Sequence, residues 1–69
     1  MPDSVYKVIE LVGTSPVSWE QAATTAVERA SKSLRDLRIA EVTSQDLVIE
    51  NGKVKAFRTK VNLSFKFED

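Results

Sequence analysis

Cysteine and histidine are both missing from these 69 residues. The first absence excludes disulfides and the second removes the most common general base. Together they exclude the thiol nucleophile and the usual zinc ligand sets. Charge of one sign is not in excess either: 10 Lys and Arg balance 10 Asp and Glu. That balance argues against a general binder of nucleic acid or of anionic membrane surfaces. No apolar run approaches the roughly 20 residues that span a bilayer. The opening Met1-Pro2-Asp3-Ser4 lacks the basic and apolar regions of a signal peptide, so a cytoplasmic location is expected. Repeats and low-complexity stretches are absent.

The length points to one domain, residues 1–69. A chain this short buries only about 60% of its unfolded surface and is marginal alone. Without disulfides, self-association is the remaining support. Nor is there a catalytic motif. Gly13-Thr14-Ser15 lacks the spacing and the Lys-Ser/Thr pair of a phosphate loop, and no base accompanies any serine. Carboxylate pairs are conceivable at Glu41 and Asp46 or at Glu68 and Asp69, but no pattern makes them converge. The expectation is a binding protein and not an enzyme.

What is present reads as β-α-β-β, an α+β fold. Val5 to Val12 is β-rich and apolar on both parities, the mark of a strand covered on both faces. Gly13 to Pro16 is expected to break it. Ser18 with Gln21 three residues on makes a capping box. From there Trp19, Ala22, Ala23, Ala26, Val27, Ala30, Leu34 and Leu37 form one apolar stripe, predicting a helix from Ser18 to about Arg35. Asn51-Gly52 between two β-rich runs is a hairpin signal, because a type I′ turn needs positive φ twice. In the last strand Phe57, Thr59, Val61, Leu63, Phe65 and Phe67 share the core face. In the strand before the turn, Ala40 and Val42 face the core, and Ile39, Glu41, Thr43 and Gln45 the other side. Consecutive Leu47, Val48 and Ile49 break that parity, which a bulge or bend around Ser44 to Leu47 would explain, as would burial of the hairpin end between subunits.

The lengths do not match. The expected helix covers about 27 Å, whereas a strand from Lys53 to Phe67 runs about 50 Å. The overhang carries Leu47, Val48, Ile49, Val54 and Phe57 and needs another chain to cover it. Placing the first strand beside the third makes every pair antiparallel, in the order 1-3-2.

These segments carry a resemblance. Tyr6-Lys7-Val8-Ile9-Glu10-Leu11-Val12-Gly13-Thr14-Ser15-Pro16, Ser18-Trp19-Glu20 and Ala26-Val27-Glu28-Arg29-Ala30 are similar to the opening of the dodecin family. Ala40-Glu41-Val42, Asn51-Gly52-Lys53-Val54 and the ending Phe65 to Asp69 continue it. The resemblance implies a three-stranded antiparallel sheet half-wrapped around one helix. Twelve copies would form a homododecamer, a hollow shell of 23 symmetry that stores flavin (FMN, FAD or riboflavin) between subunits. It also implies binding-site positions, and there the chain departs from the pattern. Ile39 stands where flavin dodecins carry a stacking tryptophan, and Arg58 where they carry a flavin-contacting glutamine. Gln45 belongs to the same set of positions. Isoleucine forfeits a stacking contribution of about 0.5–1.5 kcal/mol. A guanidinium has no acceptor for the ring N–H. The chain looks closer to a second branch, the calcium dodecins, and for a calcium ion the matched carboxylate is Asp46. No contiguous loop offers the six to eight oxygens calcium takes, so a site would draw on several chains.

Overall fold

The computed structural model describes residues 3–67. In chain order it has β1 (Tyr6–Ser15), α1 (Trp19–Ser31), β2 (Leu37–Glu50) and β3 (Lys53–Lys66). The three strands form one antiparallel sheet in the order β1-β3-β2. The α+β, β-α-β-β architecture and its 1-3-2 order are as the sequence implied.

The helix starts where the cap is written. Ser18 is extended, and its hydroxyl accepts the Gln21 backbone N–H at 3.0 Å, which satisfies one of the orphan donors of the first turn. The Gln21 amide does not close the box; it donates to Thr25 Oγ1 at 3.5 Å. Ala22, Ala26 and Ala30 are buried on the helix underside. Small side chains let the helix sit low on the sheet. At Gly13 the approach is so close that a Cβ would lie 1.9 Å from the Ala22 carbonyl oxygen. Gly13 is therefore a contact point inside the strand, and β1 continues through it to Ser15. The expected break at Gly13 is thus corrected.

The helix also ends earlier than expected. Lys32 caps it, and Asp36 takes a left-handed φ of 59° to turn the chain back into the sheet. Leu37, expected on the helical stripe, is the first residue of β2, while Leu34 still packs on the core from the connecting turn. Val61 and Leu63 of β3 form the centre of that core, with Ile9, Leu11, Ala23 and Val27 around them. Burying a side chain such as Leu63 contributes about 1.5–3 kcal/mol.

The hairpin is regular at its tip, where Asn51 and Gly52 have φ of 54° and 75°. Beyond the tip it is not. The register shifts between Val48 and Ile49, leaving Lys55 of β3 unpaired, and again between Val42 and Ser44, leaving Thr43 of β2 unpaired. The expected bulge therefore lies one residue before the predicted stretch, with a second nearer the tip. A third shift falls between Leu37 and Ile39.

At 13 residues the helix is about 20 Å long, on a molecule 52 × 21 × 16 Å. It lies over β1 and β3 and barely reaches β2. Val42, Leu47, Ile49 and Val54 are left exposed along the hairpin.

Candidate functional site

Register divides the sheet into two faces. Ile9, Leu11, Gly13 and Ser15 of β1 pair with Leu63, Val61, Thr59 and Phe57 of β3, and this face lies under the helix. The alternate residues form the helix-free face, built of rows across all three strands. These rows are Val8–Ser64–Ile39, Glu10–Asn62–Glu41, Val12–Lys60–Ser44 and Thr14–Arg58–Asp46. On this face apolar side chains meet water: Tyr6, Val8, Val12 and Ile39 are all exposed, Ile39 to 63%.

Ile39 and Arg58 thus share the helix-free face, as parity implied. They are not neighbours. Ile39 faces Ser64, six positions along β3 from Arg58, a separation of about 20 Å. A planar ligand touching both would have to lie between two subunits. Gln45 differs more. It pairs with the buried Thr59 on the helix side of the sheet, so it lies on the opposite face from Ile39 and Arg58. The cause is the pair of bulges. A regular hairpin around Asn51-Gly52 would set Gln45 opposite Arg58; the extra Lys55 slides the register by one, and Thr43 restores it. Between the two bulges every residue of β2 meets a partner one further along β3.

That slide puts Asp46 opposite Arg58. Arg58 Nε donates to Asp46 Oδ1 and Arg58 Nη2 donates to Oδ2, both at 2.7 Å, a bidentate fork. Parallel charge-assisted bonds of this kind are the strongest and most directional ion pairs. The hydrogen bonds from Arg58 hold the Asp46 carboxyl below the usual carboxylate range; desolvation opposes them, and the charges of Arg58 and then Lys60 add to the lowering. Asp46 raises Arg58 in return. The Arg58 cation is thus compensated within the chain.

Trp19 grips the same place from the other face. Its Nε1 donates to the Asp46 carbonyl at 3.1 Å. Its ring meets Phe57 edge-on with centroids 5.2 Å apart. Its own carbonyl accepts the Thr59 hydroxyl at 2.9 Å. Trp19 is thus a half-buried core residue, as its stripe suggested, and it anchors the strand segment that carries the fork. Neither the fork nor this anchor was visible in the sequence, because both depend on the bulged register.

The donor set does not fit calcium within one chain. Both Asp46 oxygens are occupied by a guanidinium, and no cluster of three metal-ligating side chains exists among the described residues. Glu41 and Asp46 share a face but sit two rows apart. The Glu68–Asp69 pair lies outside the described residues. A flavin plane finds no aromatic platform at Ile39, although a mostly apolar hollow lined by Val27, Leu37, Arg38, Ile39, Ala40 and Leu63 opens beside it.

Against known proteins, the family model for Dodecin matches residues 5–68. The chain belongs to the dodecin family. It is 51% identical over 63 residues to Calcium dodecin of Mycobacterium tuberculosis, covering 91% of this chain and 89% of that one. The dodecin structure from Streptomyces coelicolor superposes with a TM-score of 0.93 at 42% identity, over 100% of this chain and 99% of that one. The crystal structure of the M. tuberculosis calcium dodecin, described as a calcium chelating antigen with a novel calcium-binding site, gives 0.83 at 52% identity. It covers 94% of this chain and 93% of that one. Among the described residues of this dodecin no helix is long and apolar enough to cross a membrane.

Proposed function

We propose that this dodecin, a single domain, assembles with copies of itself into a homododecameric shell that binds or sequesters a small ligand between subunits in the cytoplasm, without catalysis. The observation that carries the reading is the helix-free face. It leaves Tyr6, Val8, Val12 and Ile39 in water on a chain too small to tolerate it alone. Calcium is the first ligand to test, since the 51% identical relative is a calcium dodecin. Its oxygens would be gathered from more than one chain, because one chain offers no cluster.

Thermal melts of metal-stripped protein with and without calcium chloride test this directly. A ligand that binds only the assembled state raises its Tm with concentration by mass action. A calcium-dependent rise, absent with magnesium, supports the reading; a melt indifferent to calcium removes it. The second reading, a flavin store, is supported by the preserved helix-free position of Ile39 and Arg58. It predicts a flavin absorbance band in freshly purified protein, which a colourless preparation contradicts.

A further inference from the structure

Two apolar features at opposite ends of the hairpin face water. At the tip Ile49 and Val54 pair across β2 and β3 and are 67% and 52% exposed. Beside them Lys55 Nζ meets Glu50 Oε2 at 2.8 Å. At the other end, the register shift between Leu37 and Ile39 leaves Arg38 without a strand partner. There a hollow of about 190 Å³ opens over Val27, Leu37, Ala40 and Leu63, with Arg38 at its side. Its floor reaches the core, since Leu63 is 1% exposed. A cavity of about 150 Å³ holds a benzene, so this one has room for a branched aliphatic side chain. Arg38 Nη2 lies 3.9 Å from Asp36 Oδ1, beyond hydrogen-bond reach, and its charge is only loosely held. The chain cannot fill the hollow with its own tip. Val54 and Leu63 stand nine positions apart on β3, a distance of about 30 Å. Tip and hollow also complement each other in charge: Glu50 and Lys55 flank the one, Arg38 and Asp36 the other.

We propose that the hairpin tip of one copy seats Ile49 and Val54 in the Val27, Leu37, Ala40 and Leu63 hollow of a second copy, with Glu50 set against Arg38 and Lys55 against Asp36. The contact joins unlike surfaces, so each copy gives a tip and receives one. A head-to-tail contact of this kind either closes into a ring or runs on as a filament. The closed shell requires the ring. The contact rests on the self-assembly reading and deepens it by naming the surfaces that meet. Ile39 borders the same hollow, so the seated tip stands beside the ligand position and helps to wall it.

The chain has no cysteine, so engineered thiols report the contact without background. Ile49→Cys and Ala40→Cys chains are co-expressed, oxidised and run on a non-reducing denaturing gel. A two-chain band is expected from the mixture and from neither variant alone. The double variant, carrying both thiols on each chain, should link into one closed covalent ring with no free thiol. A two-chain band from Ile49→Cys alone means that tips meet tips and overturns the seating. An assembled mixture that forms no cross-link overturns it as well. Where the thiols loosen assembly, the charges decide. Arg38→Glu and Glu50→Arg should each lower Tm at matched protein concentration. Combined in one chain they should recover more than half of the summed loss, because opposite charges face each other again. Within one chain the two charges lie far beyond a screening length of about 10 Å, so coupling reports the contact between copies. Losses that simply add overturn the seating. The parent's elution from a sizing column separates the two failures. Small species remove the shell and this contact with it, whereas an assembled parent with no cross-link and no coupling removes this contact alone.

Discussion

Asp46 and Arg58 illustrate how much one register step can change at a single position. Opposite a neutral partner, Asp46 would present two carboxylate oxygens free of any cation; opposite Arg58 each accepts a guanidinium N–H. Its carboxyl is held low, so the fork is intact at neutral pH and is lost as acid carries the folded carboxylate through its depressed pKa. Carbon-detected NMR of the Asp46 carboxyl should show a midpoint below the ordinary aspartate range. In Arg58→Gln that midpoint should return toward the ordinary value, and an unchanged midpoint would mean that the fork does not form in solution. Gly13 makes the second residue-scale case. An added methyl would meet the Ala22 carbonyl oxygen, a backbone atom that moves only if the helix moves. Gly13→Ala should therefore cost about 1–3 kcal/mol of stability, as overpacking does. Denaturant unfolding at matched protein concentration measures it.

At the scale of elements, the helix depends on its first turn more than on its length. Ser18→Ala removes the acceptor for the Gln21 N–H and should cost about 1 kcal/mol, read from the same unfolding curves. The start of α1, the type I′ turn and the core face of β3 were legible in the sequence because each is set by local chemistry: a cap hydroxyl, two positive-φ residues, a period-two pattern. The end of the helix was not. The apolar spacing of Leu34 and Leu37 continues the stripe past Ser31, yet Asp36 turns left-handed and Leu37 enters the sheet. Leu34 and Leu37 pack on the same core from a turn and a strand, which periodicity does not distinguish from a helix. The candidate site was legible in part for a related reason. Ile39 lies outside the slid segment and Arg58 takes its face from the regular β3 alternation, so parity placed both correctly. Gln45 and Asp46 lie between two bulges that exchange their roles, and nothing local marks Lys55 or Thr43 as the residues left unpaired.

At the scale of the molecule, the helix covers two strands of three, and both sheet faces reach water with apolar side chains on them. Ile39 is the sharpest instance, since it sits 63% exposed among polar rows. In the assembled shell it is expected to be covered by another chain. Ile39→Asp would then place an unpaired carboxylate in that contact, where loss of its water is costly. The variant should fail to assemble, seen as a shift to small species on a sizing column; a parent-like elution profile would show the position to be solvent-facing. The central claim, that this chain is stable and functional only as a closed shell, is tested most directly by native mass spectrometry of freshly purified protein at micromolar concentration. The account predicts one dominant species at twelve times the 7.7 kDa subunit mass, with little monomer. A folded monomer or dimer as the main species would contradict it.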